Sequence, residues 1–363
     1  MANFIRGTGD ARTPIQHCLY IFEQYLAHVY YSTLMGKAGS GKPIIVDNTL
    51  QGNKGDTIRY HFMPQNKTDG IQGQDASILG NEDTLDEFFM DLKIDEMSKA
   101  FAKKGKITDK RIIWQFREKA TQQLINWFQE RSEIWITDAL TGYIENGFDY
   151  VKNINGTPLV KGEGRCMRAK GADSWEIVDP SKSSNDELVK VVSTADKMNV
   201  KVLDQLSILA KKGNSKYRIR PYRTEDEIPR EIFLLYVSLR AARDLKQDPE
   251  FKQYQRALIT GGMITKDPVA TGALGLYDNI LVMENERIRE FKNAKGEYFA
   301  RNLLVGGDAM VVGYAQTIDY TEELTDHKRR LSMAADEIKG HKKFEFDGVD
   351  LGVAQVITAS SDK

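Results

Sequence analysis

The sequence predicts an α+β fold, and three observations carry that reading. The segments 44–46 and 57–63 read as strands, and the tail 342–359 alternates apolar and polar residues until it ends as a strand. An apolar stripe at helical spacing begins near Thr108 and persists for about 30 residues. Short apolar and helical segments then alternate through 193–320 with no internal repeat and no low-complexity tract.

In chain order, 14–35 comes first. Ile15, Leu19, Phe22, Leu26, Val29 and Thr33 recur four and three apart, which places them on one helical stripe. Thr13 stands where an N-cap belongs and Pro14 at the first helical position. The polar, glycine-rich run Gly36 to Lys42 follows. The expectation is a detached arm that lays its apolar face on another surface. Its opposite face lacks the Lys/Arg cluster of a membrane-surface helix.

Strands are expected at Ile44-Ile45-Val46, at 57–63 and at 87–97. Between the last two lies the polar stretch Pro64 to Thr84, long enough to be a protruding hairpin. The strongest helix starts at Thr108 or Asp109 and stops at Gly142. Ile112, Phe116, Ala120, Leu124, Phe128 and Trp135 share one face of it, with Trp127 and Ile134 beside them. At ~1.5 Å per residue it is a rod of roughly 45–50 Å.

Residues 146–192 are loop-rich, with strands expected near Leu159-Val160 and Trp175 to Val178. A helix is expected over 193–212, capped by Ser193 and Asp196 and ended by Gly213. Ile232 to Val237 reads as a buried central strand. Two short helices follow, 239–246 and 249–259, then core segments at 279–284 and 311–314.

Composition excludes several classes. The chain has 363 residues, 51 Lys+Arg against 52 Asp+Glu, and a formal net charge of -1. A protein that grips many phosphates carries a basic excess or a basic face, so any DNA contact is expected to be weak and non-specific. Cys18 and Cys166 stand alone and read as free thiols, with no disulfide framework. The first residues lack an apolar signal core, and the longest apolar runs fall far short of the ~20 residues of a membrane span. The expectation is a soluble chain made in the cytoplasm, with no membrane partner.

Motifs that carry chemistry fail on inspection. Gly36-Lys37-Ala38-Gly39-Ser40-Gly41-Lys42-Pro43 nearly spells a phosphate-binding loop, but Pro43 replaces the hydroxyl residue that holds Mg²⁺. The surrounding order is also helix, loop, strand, the reverse of what such a loop needs. A flexible linker is the plainer reading. Loss of ATP binding in Lys42→Ala is what would favour a nucleotide-binding enzyme.

His17, His28, His61, His327 and His341 form no short ligand pair. Neither a nucleophile elbow nor a Cys/His dyad is present. The sequons at Asn66 and Asn155 carry no function without a secretory signal. Lys328-Arg329-Arg330 reads as a solvated helix face before it reads as a DNA site. Gly261-Gly262, Asp267-Pro268, Gly272, Gly275 and Gly306-Gly307 mark tight turns and close backbone approach. The reading assigns no catalytic, cofactor-binding or metal residue and no cofactor: the chain is not an enzyme.

Several stretches, in order, carry a resemblance. They are Leu79-Gly80-Asn81-Glu82-Asp83, Leu92-Lys93-Ile94-Asp95, Leu124-Ile125-Asn126-Trp127 and Leu140-Thr141-Gly142. Further on come Asp244-Leu245-Lys246 with Asp248 and Phe251, then 272–279, 301–309 and Gly340-His341-Lys342-Lys343-Phe344. Across about 50–355 the chain resembles tailed-bacteriophage major capsid proteins related to that of coliphage N-four. Leu239-Arg240-Ala241 departs from the His-Pro that often precedes Asp-Leu-Lys in that family.

The resemblance implies the Hong Kong 97 capsid fold. Residues 1–42 would be the N-terminal arm, 43–107 the extended loop with peripheral-domain strands, and 108–192 the spine helix and rest of the peripheral domain. Residues 193–320 would be the axial domain, and 321–363 the return to the peripheral domain. It further implies copies joined as pentamers and hexamers of an icosahedral shell around double-stranded DNA, with scaffold, portal and decoration proteins as further partners. A cellular nanocompartment shell shares the fold and is the alternative.

Overall fold

The computed structural model describes residues 29–52, 54–63, 87–103, 116–141, 160–162, 164–171, 174–179, 191–212, 218–223, 231–253, 273–288, 290–292, 298–325 and 330–360, with Phe22, Gln24, Glu82 and His327. Among these residues one sheet has five strands, in the order β1 (Met35–Gly36), β2 (Ile44–Asp47), β14 (Met310–Thr325), β15 (Arg330–Lys343) and β5 (Asp95–Ala102). β2 runs parallel to both β1 and β14, while β15 is antiparallel to β14 and to β5.

The larger sheet has nine strands. Its path is β10 (Ala273–Tyr277), β11 (Ile280–Glu284), β9 (Glu231–Val237), β13 (Tyr298–Val305), β18 (Val353–Ser360), β6 (Cys166–Lys170) and β7 (Ser174–Ile177). β12 (Glu290–Lys292) adds to β13 and β8 (Tyr222–Arg223) to β9. Two small ribbons complete the strands, β3 (Thr57–Phe62) with β4 (Phe88–Lys93), and β16 (Glu345–Phe346) with β17 (Val349–Asp350). The main helices are α1 (Phe116–Thr141), α2 (Val200–Lys212) and α3 (Leu239–Gln247).

Strand β9 explains how the larger sheet is covered. Ile232, Leu234 and Tyr236 join a core that includes α1, while Phe233, Leu235 and Val237 join another with α2 and α3. Both faces are buried from Ile232 to Val237, and that run is therefore apolar throughout instead of alternating. It is central, as its sequence predicts.

Helix α1 packs on β15. Ala120, Leu124, Phe128 and Trp135 are buried, and Trp127 and Ile134 are partly buried beside them. Its described 26 residues make a rod of roughly 39 Å. The expected start at Thr108 and stop at Gly142 lie outside the described residues. The second half of α1 is buried on polar positions too, with Ser132, Glu133, Thr137, Asp138 and Thr141 all shielded.

Those polar positions meet charged residues of the sheet. Lys339 and Glu337 are fully buried and paired at 2.8 Å. The Lys339 ammonium also donates to Ser132 Oγ at 2.9 Å and lies over the Trp135 and Tyr314 rings. Burial lowers the Lys339 pKa, and Glu337 opposes that shift. Two strand positions further, His341 is buried beside Trp135. Burial holds its pKa well below the ordinary imidazole value, and the nearby Lys339 charge adds to the shift.

Several expectations need correction. The N-terminal segment is not detached. Val29, Tyr31 and Leu34 are buried in the chain's own core, and Ser32–Leu34 is a 3₁₀ turn leading into β1. Tyr31 OH shares a 2.7 Å hydrogen bond with Thr137 Oγ1 and accepts from Asn285 Nδ2 at 2.6 Å. The chain before Val29 lies outside the description except at Phe22, which meets Tyr314 edge-on, and at Gln24.

Residues 87–97 are two strands, not one. Ile94 breaks the run by donating its N–H to Asp56 O, so β4 pairs with β3 while β5 joins β15. The helix expected from Ser193 begins at Val200. Asp196 instead caps a turn by accepting from Ser193 N, and Asn199 Oδ1 accepts from Val202 N as the true N-cap. Val160 lies outside any strand, and Cys166–Lys170 is a strand that the pattern did not reveal. The boundary at 320 falls inside β14, and β18 lies between β13 and β6 inside the nine-stranded sheet built largely from 193–320.

Two outcomes follow from this packing. The folded His341 imidazole resists protonation, so below pH ~6.5 the unfolded chain binds a proton that the folded chain refuses. Stability should therefore fall as pH drops through that value, by at most ~1.4 kcal/mol per pH unit from this group. Urea titrations at pH 7.5 and 5.0 should show a smaller acid loss in His341→Leu than in the unaltered chain; equal losses would contradict the assignment. Deleting 1–35 removes three buried side chains and should cost roughly 5 kcal/mol, measured as a fall in the urea midpoint, whereas a detached arm would leave it unchanged.

Candidate assembly surface

The ribbon β3–β4 is a sheet of its own with a clean division of faces. Its register runs from Thr57 opposite Lys93 to Phe62 opposite Phe88. Ile58, Tyr60, Phe62, Phe88, Met90 and Leu92 all point inward, as the two-residue period of a strand requires. They pack on Ile45, Val311, Phe344 and Phe346. The Phe62 and Phe346 rings stack at 4.9 Å, and Tyr60 meets Phe344 edge-on at 5.6 Å.

Tyr60 OH donates to Asp47 Oδ2 at 2.5 Å. Burial raises the Tyr60 pKa, and the Asp47 bond raises it further. The phenol stays a donor at any physiological pH.

Beneath the root of the ribbon lies a notch made by glycine. Gly313 of β14 and Gly340 of β15 sit opposite one another. A Cβ on Gly340 would come 2.3 Å from Lys93 O, and one on Gly313 would come 2.7 Å from Leu92 Cδ2. Only glycine lets β4 cross the sheet this closely. Lys342 Nζ then donates to Asp91 O at 2.8 Å and pins the crossing.

Among the described residues nothing packs over the outer face. Arg59 holds Asp91 with two hydrogen bonds of 2.7 and 2.8 Å, and its guanidinium lies 4.7 Å from the centre of the Phe89 ring. His61 Nδ1 and Glu87 Oε1 are 2.7 Å apart. Phe89 and Met63 remain 63% and 60% exposed. Phe89 and Met63, beside the satisfied Arg59–Asp91 pair, make this face the candidate contact surface. The stretch 64–84, expected to extend this hairpin, lies outside the described residues except at Glu82.

The remaining sequence candidates do not converge. The loop Gly36 to Pro43 connects two parallel strands and is followed by no helix. It is not a loose linker: Gly39 and Gly41 adopt positive φ, and the carbonyls of Lys42 and Pro43 accept from Asp308 N and Ala309 N. Those contacts spend the loop on the fold.

Cys166 is buried, and burial pushes its thiol up to about 12. His61, His327 and His341 lie on separate features, and among the described residues no group of His, Cys, Asp or Glu is arranged to hold a metal. Arg330 starts strand β15, which corrects the helix-face reading of the basic run. Gly306 and Gly307 do mark close approach, with Cβ positions 2.3 Å from Arg220 O and 2.8 Å from Gly41 O. His17, His28, Cys18, Lys328, Arg329, the two sequons, Gly261-Gly262, Asp267-Pro268 and Gly272 lie outside the described residues. No described helix is long and apolar enough to cross a membrane.

Sequence reasoning missed the buried groups Glu337, Lys339, Ser132 and Asn285. Their types signal exposure, and only the tertiary packing makes them internal.

Comparison with known proteins accounts for this architecture without an active site. The major capsid protein of Pseudomonas phage KPP25 is 23% identical, over 99% of this chain and 97% of that protein. The capsid of Ralstonia phage GP4 superposes with a TM-score of 0.74 at 20% identity, covering 92% of each chain. That of cyanophage Pam1 superposes at 0.72 and 20% identity over the same shares. The head of Helicobacter pylori bacteriophage KHP40 gives 0.65 at 14% identity, over 91% of this chain and 92% of that one. A family model described as phage capsid protein matches residues 11–362. A chain matched over almost its whole length, with a shared fold, belongs to the phage capsid protein family and is a structural protein, not an enzyme.

Proposed function

We propose that this chain is the major capsid protein of a tailed bacteriophage and builds an icosahedral head from pentamers and hexamers around double-stranded DNA. The observation that carries the reading is the β3–β4 ribbon, whose inner face is locked on its own sheet while Phe89 and Met63 stay exposed. The capsid family membership supports it. In this reading the fold is of the Hong Kong 97 type, and the chain is related to the major capsid protein of coliphage N-four. The ribbon is the base of the extended loop, α1 is the spine helix, and the nine-stranded sheet forms the axial unit. The arm of this reading, residues 1–42, is anchored in the chain's own core by Val29, Tyr31 and Leu34.

The chain would be made in the host cytoplasm and then join scaffold, portal and decoration proteins. A net charge of -1 suits a wall that encloses DNA without gripping it. A nanocompartment shell is separated from this reading by neighbouring genes: portal and terminase genes accompany a phage head.

Deleting 65–84 tests the ribbon. The variant should keep the urea midpoint of the intact chain, because the described inner face of the ribbon is untouched. It should also fail to form particles in sedimentation and negative-stain microscopy, alone or with co-expressed scaffold. Normal particles from the variant would remove the ribbon from assembly. An intact chain that stays monomeric at high concentration under both conditions would sink the shell reading.

A further inference from the structure

Strand β5 is a long, regular sheet edge with no strand on its outer side among the described residues. It pairs with β15 over all eight residues without a register shift. The parity of that ladder fixes which backbone groups point away. Lys103 N donates to Leu331 O directly opposite, so the odd positions face β15. Glu96 N is capped by its neighbour Asp95 Oδ1, as an outward amide would be. The N–H and C=O groups of Ser98, Ala100 and Ala102 therefore point outward, and all three residues are exposed. No described residue pairs with that edge. Chains that remain single blunt such edges with Pro, a bulge, a very short strand or charge; of these β5 has only charge, at Asp95, Glu96 and Lys99.

We infer that β5 pairs antiparallel with β5 of a second copy about a two-fold axis, merging two five-stranded sheets into one. This rests on the shell reading and names one contact within it. Only outward residues form the hydrogen-bonded pairs of such a ladder, so even positions must oppose even positions. Centring the axis on Lys99 sets Ser98 against Ala100 and Glu96 against Ala102. It also sets Asp95 of each copy against Lys103 of the other, a charge match that occurs twice by symmetry.

The small side chains Ser98, Ala100 and Ala102 leave the approach clear. The two Lys99 residues at the axis are the like-charge cost. Each ammonium is drawn instead to its own aromatic face, 5.6 Å from the Trp127 ring centre and 5.7 Å from that of Phe101.

Cross-linking in assembled particles tests this. Residues facing one another across the axis in a narrow pair have Cα atoms ~4.5 Å apart, within the span of a disulfide. Particles of Lys99→Cys, oxidised and run on a non-reducing gel, should give a dimer that unaltered particles, with only Cys18 and Cys166, do not. Ala100→Pro removes one outward N–H that β15 does not use, so that subunit should fold with an unchanged urea midpoint. Added to Lys99→Cys, it should abolish the dimer.

Hydrogen exchange gives a second readout in the unaltered chain. Ser98, Ala100 and Ala102 amides should exchange at least about tenfold more slowly in particles than in free subunits. Particles with a monomeric Lys99→Cys band and unprotected amides overturn the inference and leave the shell reading standing. Protected amides without the Lys99→Cys dimer also overturn it, because another partner then covers the edge. If no particle forms, both readings fall.

Discussion

Strand β15 carries Glu337 and Lys339 on the face that helix α1 covers, where neither charge reaches water. Two buried ions cost several kcal/mol each to desolvate, and their mutual attraction repays this only while the partners stay in place. The pair at 2.8 Å, with Ser132 as a further acceptor for Lys339, is therefore a condition on the position of α1. Sliding the helix by a turn would strand a charge in the core. The same strand holds β14 on one side and β5 on the other, and its Gly340 forms half of the notch under β4. Helix α1, the sheet and the ribbon are thus referred to one strand.

Anchoring of this kind suits a wall subunit. The Tyr31, Thr137 and Asn285 bonds tie the N-terminal segment, α1 and the loop after β11 into one body, with Tyr236 of β9 against the same rings. Such a body transmits force between its contacts with little internal yield. What the described residues leave uncovered lies at its margins: the outer face of the ribbon and the outer rim of β5.

Much of the architecture was legible in the sequence where side-chain period and burial agree. The apolar run at 232–237 named a central strand because both of its faces are covered. The long stripe through Leu124 and Phe128 named the helix against the sheet, and strand patterns near 57 and 88 named the hairpin. The resemblance in 340–344 marked residues whose reasons are physical, since Gly340 makes room for Lys93 and Phe344 packs on Tyr60.

Other features were hidden for equally physical reasons. The 16-residue strand β14 and its partner β15 mix polar and apolar residues because one end is buried and the other projects into solvent. Asp196 offered a cap signal that the chain uses for a turn, four residues before Val200. Val29, Tyr31 and Leu34 read as the end of an arm because helical spacing says nothing of whose core receives the stripe. The assembly surface was legible only as an unusual loop length, since exposure of Phe89 is a property of the folded ribbon.

A cryo-electron reconstruction of the particles formed by this chain tests the central claim most directly. The account predicts a closed icosahedral shell in which every subunit keeps α1 against β15 and lays its β3–β4 ribbon, Phe89 outward, on a neighbouring subunit. A shell whose ribbons touch no neighbour, or a chain that forms no symmetric particle at all, would contradict it.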